Sequence, residues 1–136
     1  MDLTIEHVGL ASANPEGLRE WFCRVLEAKV VFADGKTPPA FLMQVGPGPL
    51  VEIYASDLRL EQTGHNRLAG WRHLALRVPQ IEAARDLLLQ RGVQFEGEIK
   101  PAGGGGRVLF FKDPEGNLWH LVERSSDSVV TPLKPT

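Results

Sequence analysis

The sequence predicts an α+β fold built from two consecutive copies of one module, each running strand, helix, strand, strand, strand. Three observations predict it. In each half, a strand-like run leads into one helical pattern and then into three more strand-like runs. The first strands of the halves correspond, "EHVGLAS" with "RHLALRV", so that His73 lies 66 positions after His7. The last strands correspond too, "LVEIYAS" with "LWHLVER", and His120 lies 68 positions after Glu52. Two offsets this close, at opposite ends of the unit, fit a duplicated module with small loop differences.

The first module is expected over residues 1–60 and the second over 61–124, together one structural domain, with an irregular tail over 125–136. Residues 3–11, "LTIEHVGLA", read as a strand. Asn14-Pro15-Glu16 starts a helix: Asn as N-cap, Pro at the first helical position, an acid in the first turn. The helix runs to about Leu26, with Leu18, Phe22, Val25 and Leu26 on one stripe. "KVVFA" is β-branched and aromatic, hence a strand; "AFLMQV" follows the Pro38-Pro39 break, and "LVEIYAS" follows the "GPGP" turn. The polar segment 57–69 reads as a linker.

The second module repeats the order. "WRHLALRV" is a strand; "PQIEAARDLLLQRG" is a helix with Pro79 at its start and Gly92 as its C-terminal cap. "VQFEGEI" is a strand, and Gly103 to Gly106 form a flexible hairpin loop able to close over a site. "RVLFFK" and "NLWHLVE" are strands joined by Asp113-Pro114-Glu115-Gly116, a strong turn sequence.

Composition narrows the function. With 136 residues, 24% charged residues, a net charge of −2 and scattered Lys and Arg, the chain lacks the basic excess of a nucleic-acid or anionic-membrane binder. No apolar stretch nears the roughly 18 residues that span a bilayer, and the N-terminus lacks the pattern of a signal peptide. Cys23 is the single cysteine, so no internal disulfide forms; it reads as a small core residue, and a reducing, cytoplasmic setting is expected.

Four chemically capable residues occupy equivalent places in the two halves: His7, Glu52, His73 and His120. Each sits mid-strand among apolar neighbours, where a carboxylate or imidazole needs partners. A lone strand histidine reads as a hydrogen-bonded structural residue. Three of the chain's four histidines at related strand positions, with the related Glu, favour a shared divalent transition metal such as Zn, Ni, Fe or Mn. Alternation supports this: Leu118, His120 and Val122 share a face, as do Leu50, Glu52 and Tyr54, and Trp71, His73, Ala75 and Arg77. Glu123, the near alternative to His120, falls on the wrong face. His65, in the linker, reads as solvent-exposed, and Arg77 and Arg107 as surface arginines. The glycine loop lacks the Lys-Ser/Thr of a phosphate-binding loop and leads into a strand.

These residues resemble the vicinal oxygen chelate superfamily: a His on the first strand, "VEIYA" on the fourth, "RHLAL" on the fifth and "FFKDPEGNLWHLVE" at the end, over about residues 3–124. Its members include glyoxalase I, methylmalonyl-CoA epimerase, extradiol dioxygenases, fosfomycin-modifying enzymes and bleomycin-binding proteins. The resemblance implies that each module forms half of an open mixed β-sheet barrel around a cavity, and that the protein is a homodimer. It implies His7, Glu52 and His73 as metal ligands, and His120 as the fourth where glutamate is usual. Three imidazoles and one carboxylate leave a divalent site at about +1, which favours an anionic, oxygen-chelating small-molecule substrate. The expected activity is that of a lyase or isomerase stabilising an enolate, with Glu52 or His120 moving the proton. The alternatives are an Fe(II) ring-cleaving dioxygenase, and a metal-free binding protein of the bleomycin-resistance kind. Tyr54, Trp71, Phe110 and Arg77 are the candidate substrate contacts.

Overall fold

The computed structural model describes residues 1–59, 61 and 63–130. The element order is β1 (His7–Ser12), α1 (Pro15–Leu26), β2 (Lys29–Ala33), β3 (Phe41–Gln44) and β4 (Leu50–Ala55), then β5 (His73–Arg77), α2 (Ile81–Gln90), β6 (Phe95–Pro101), β7 (Arg107–Lys112) and β8 (Leu118–Glu123). The fold is α+β and the strand-helix-three-strand module occurs twice, as the repeat predicts. The chain divides into two compact units between residues 60 and 61.

The first unit is a four-stranded sheet in the order β1-β4-β3-β2. β1 and β4 run parallel, while β3 pairs antiparallel with both β4 and β2. The Asn14 side chain caps α1 by accepting the Gly17 N–H at 3.0 Å, with Pro15 in the first turn. The helix buries Leu18, Trp21, Phe22 and Val25; Leu26 and Cys23 are only half-buried, so Cys23 lies outside the core. β3 and β4 supply Phe41, Met43, Val51 and Ile53 to this core. Each such side chain contributes about 1.5–3 kcal/mol when fully buried.

β1 begins at His7, not residue 3: residues 3–6 alternate like a strand but form no ladder. Their apolar members, Leu3 and Ile5, are exposed. One bond crosses ahead of the strand, the Leu50 N–H donating to the Glu6 carbonyl at 2.8 Å.

The second unit repeats the topology as β5-β8-β7-β6, with parallel β5–β8 and antiparallel β8–β7 and β7–β6 pairs. Its core holds Ile81, Leu109, Phe111, Trp119 and Leu121. α2 ends as the sequence predicts. Gly92 takes φ +87°, its N–H donates to the Leu89 carbonyl at 3.1 Å, and Val93 N–H donates to the Leu88 carbonyl at 3.0 Å. At its other end the helix begins at Ile81, two residues after the Pro79 expected at its start; Gln80 is the N-cap, and its side chain makes no cap bond.

The Gly103–Gly106 loop is held rather than free. The Arg124 guanidinium donates to the Gly103 and Gly105 carbonyls at 2.6 and 3.1 Å. Ser128 Oγ and Val129 N–H both donate to the Gly104 carbonyl. A Cβ on Gly106, at φ +110°, would lie 1.9 Å from the Glu123 carbonyl oxygen, so no other residue fits there. The expected irregular tail therefore packs on this loop over residues 125–130; residues 131–136 lie outside the described ones. Among the described residues no helix is long and apolar enough to cross a membrane.

Candidate functional site

Strand alternation on β4 separates Glu52 from the core. On β4, Val51 and Ile53 are buried, whereas Glu52 is half-buried and Tyr54 exposed. His7 lies on the neighbouring β1, diagonal to Glu52 in a register that pairs Gly9 with Glu52. This brings His7 Nε2 to 3.2 Å from a Glu52 carboxylate oxygen. His7 Nδ1 is 2.8 Å from the Glu6 carboxylate. The His7 ring thus lies between two carboxylates, one at each nitrogen. The Tyr54 ring lies across β1, where a Cβ on Gly9 would come within 3.3 Å of it.

The second unit brings together His73 and His120. β8 pairs with β5 and β7, so that His120 is flanked by Ala75 and Phe110. The His73 and His120 rings are 4.9 Å apart between centroids, and Phe110 is 4.9 Å from His120 and 6.0 Å from His73. His120 is buried, and its Nδ1 donates to the Leu121 carbonyl at 3.1 Å. Burial pushes the His120 imidazole below its usual range, and the positive fields of His73 and Arg124 add to this. It is therefore neutral at neutral pH, the form that binds metals. His73 Nδ1 lies 2.8 Å from the Asn66 amide oxygen.

The three strand histidines share one feature: each Nδ1 has an oxygen within hydrogen-bond distance (the Glu6 carboxylate, the Asn66 amide, the Leu121 carbonyl). At His120 the carbonyl only accepts, so Nδ1 carries the proton and Nε2 the lone pair, whereas His7 meets a carboxylate at both nitrogens. That is the arrangement a metal-ligating histidine needs, so the donor set fits a divalent ion. Within each unit the fold brings two of the four together. Among the described residues no three His, Cys, Asp or Glu side chains gather as a ready-made cation site. Asn66 is a functional candidate that sequence reasoning missed; an Asn seven residues before a strand histidine carries no signal until the chain folds back.

Glu123 is occupied elsewhere. Its carboxylate accepts the Ile81 N–H at 2.8 Å, capping α2, and accepts from Arg107 at 2.8 Å. Arg107 also forms a two-pronged pair with Glu82. Arg107 is thus a structural cation, held charged by both carboxylates. Arg77, on the His73 face of β5, donates to the Val130 carbonyl at 3.5 Å. Trp71, expected to line a cavity, is 94% exposed just before β5. His65 is exposed, as expected, and its Nδ1 accepts the Arg67 N–H at 3.2 Å.

A cleft of about 450 Å³ opens within the second unit. Segment 64–67 and Glu96, Lys100, Phe110 and Leu118 line it, so it adjoins the His73–His120 pair through Phe110.

Duplicated βαβββ units that carry imidazole and carboxylate groups on the strand faces turned away from the core define a class of proteins. The chain belongs to the Glyoxalase/Bleomycin resistance protein/Dioxygenase superfamily, whose family model matches residues 4–121. No curated protein matches the chain by sequence. Among solved structures, SMU.1112c is similar over 89% of this chain and 98% of its own, with a TM-score of 0.74 and 24% identity. TnmS3, an antibiotic binding protein from Streptomyces sp. CB03234, aligns over 91% of this chain and 98% of its own, with a TM-score of 0.69 and 17% identity. The fosfomycin resistance protein FosX from Listeria monocytogenes, complexed with Mn(II) and sulfate, aligns over 93% of this chain and 92% of its own, with a TM-score of 0.62 and 14% identity. These likenesses establish the fold.

Proposed function

We propose that the protein is a metal-dependent vicinal oxygen chelate enzyme of glyoxalase I or epimerase type, a lyase or isomerase. Its ligands are His7, Glu52, His73 and His120, and its ion is a divalent transition metal: zinc, nickel, iron or manganese. The single observation that carries this reading is the shared histidine pattern, in which every Nδ1 is committed to an oxygen. FosX, which holds Mn(II) on the same fold, is compatible with it.

The ion supplies Lewis-acid polarisation of two substrate oxygens when bound. The chain's own residues supply the proton chemistry. Glu52 is the carboxylate base, half-exposed and paired with His7 Nε2. His120, buried beside Phe110 in the place where glutamate is usual, is the alternative proton carrier, and acts so only with its Nε2 off the ion. Three neutral imidazoles and one carboxylate leave a net charge of about +1 with a divalent ion, and an anionic substrate balances it.

A homodimer belongs to the same proposal. β2 is an edge strand whose Val30, Val31 and Phe32 are all exposed, at 41, 56 and 54%. Such an apolar edge calls for cover. Sedimentation velocity checks it, and a monomer at all concentrations removes the dimer from the proposal.

The test is elemental analysis by plasma mass spectrometry of untagged, chelator-free protein, with the His120→Ala variant alongside. Near-stoichiometric metal in the parent, reduced in the variant, is expected. Iron together with oxygen uptake moves the assignment to a dioxygenase. No metal after reconstitution with each candidate ion overturns the metalloenzyme and leaves the binding protein, as TnmS3 is one.

A further inference from the structure

The cleft in the second unit has a composition that selects a ligand. Its floor is the Phe110 ring, which continues directly into His120 at 4.9 Å between centroids. Two cationic side chains line it, Arg67 from segment 64–67 and Lys100 from β6. The Lys100 ammonium sits over the Phe110 ring, 4.9 Å from its centroid. The ring holds the charge in place but, being no hydrogen-bond acceptor of full strength, leaves the ammonium's donors to a ligand. The one acid in the lining, Glu96, is engaged by Lys112 Nζ at 3.0 Å. The walls therefore present positive charge beside an apolar aromatic floor. At about 450 Å³ the cleft lies toward the small end of the usual range for small-molecule sites.

We infer that this cleft seats a small planar organic anion, an aromatic or conjugated carboxylate, with its carboxylate between Lys100 and Arg67 and its plane on Phe110. The inference rests on the proposed function in one respect: it makes this molecule the substrate, whose far end reaches His73 and His120. Phe110 is then the specificity-determining residue for planarity, and Lys100 the one for charge. A long polyanion such as a nucleotide does not suit the site, because among the described residues two lysine or arginine side chains line it.

The experiment uses the full-length, metal-free protein and three probes: benzoate, its uncharged isostere benzamide, and acetate. Binding is followed by amide and methyl NMR shifts. Benzoate is expected to saturate and to move resonances of Arg67, Lys100, Phe110 and Leu118. Benzamide and acetate are expected to bind at least tenfold more weakly, and benzoate affinity is expected to fall as salt rises. Lys100→Met keeps the stem and removes the charge; it should weaken benzoate at least tenfold and leave benzamide unchanged. Phe110→Leu should weaken benzoate and leave acetate unchanged. Equal binding of benzoate and benzamide, or shifts confined to other residues, overturns the inference. Metal uptake, measured separately after reconstitution of the same protein with each candidate ion, keeps the two readings apart. Benzoate binding without metal uptake supports the cleft and defeats the enzyme; metal uptake without benzoate binding does the reverse.

Discussion

His120 and Glu123 stand three residues apart on one strand, and the pleat gives them opposite roles. His120 turns toward His73 and Phe110, whereas Glu123 turns toward the N-terminus of α2. Asn66 decides which nitrogen of His73 is available, and this gives a prediction. In Asn66→Ala the Nδ1 bond is lost, and ¹⁵N NMR of the imidazole should show a mixture of tautomers in place of the pure Nε2-lone-pair form. Metal affinity should drop about 10–100-fold, and Asn66→Asp should restore the tautomer. An unchanged ¹⁵N spectrum would refute the role assigned to Asn66. Asp113 is the other residue on which much depends. Its buried carboxylate accepts the Glu115 and Asn117 N–H groups at 2.9 and 3.0 Å, the Asn117 side-chain amide, and the Trp119 indole N–H at 3.2 Å. Asp113→Ala leaves several donors buried without an acceptor. It should cost about 2–4 kcal/mol by urea denaturation, at about 1–3 kcal/mol for a buried unsatisfied group. Asp113→Asn, which retains the acceptor for both backbone groups, should cost less.

At the scale of elements, α2 depends on a cap that another strand supplies. Gln80 provides no side-chain bond, so the first turn relies on the Glu123 carboxylate and on Arg107, which joins Glu123 to Glu82. The Ile81 N–H, and then Arg107, hold Glu123 below its usual range; Arg107 does the same for Glu82. Both acids have folded-state values below the ordinary 4.5, so their contribution is present above that value and is lost as pH falls through the folded value. Asp113 has the opposite sign. Burial raises it above 3.8, so the folded state takes up that proton more readily than the unfolded chain and gains relative stability as pH falls. The prediction is that Arg107→Leu lowers the melting temperature by several degrees at pH 7. That difference should shrink as pH falls through the folded values of both acids and they are protonated. A difference that stays constant down to pH 3 would show that Arg107 acts through packing alone.

At the scale of the whole molecule, each unit carries its own apolar core: Phe22, Met43 and Ile53 in the first, Phe111, Trp119 and Leu121 in the second. Phe111 is fully buried, 5.6 Å from Phe95 and 6.3 Å from Trp119 between ring centroids. Phe111→Ala removes a ring with close-packed partners on two strands and should cost about 3–5 kcal/mol in chemical denaturation. A cost below about 1 kcal/mol would mean that the second core is loosely packed. The duplication explains why the four candidate ligands recur: one module places a polar residue on its first strand and another inside its last, and repetition doubles it; His7 and His73 are the exposed first residues of β1 and β5, not the mid-strand residues expected.

The order of elements, the repeat and the bounds of α1, β2 and β7 were legible in the sequence alone. These follow from local signals, namely caps, turn residues and a period of two along strands. The start of β1 was not legible, because "LTIE" alternates like a strand and only the absence of a partner shows that it is not one. The tertiary structure alone decided which groups serve the histidines and the helices. Asn66 reaches His73 across seven residues, Glu123 caps a helix 42 residues earlier, and Arg124 holds a glycine loop that sequence reads as free. The physical reason is the range of the interaction. Backbone preference and burial are set within a few residues, whereas a hydrogen bond between distant side chains exists only after strand register has brought them together.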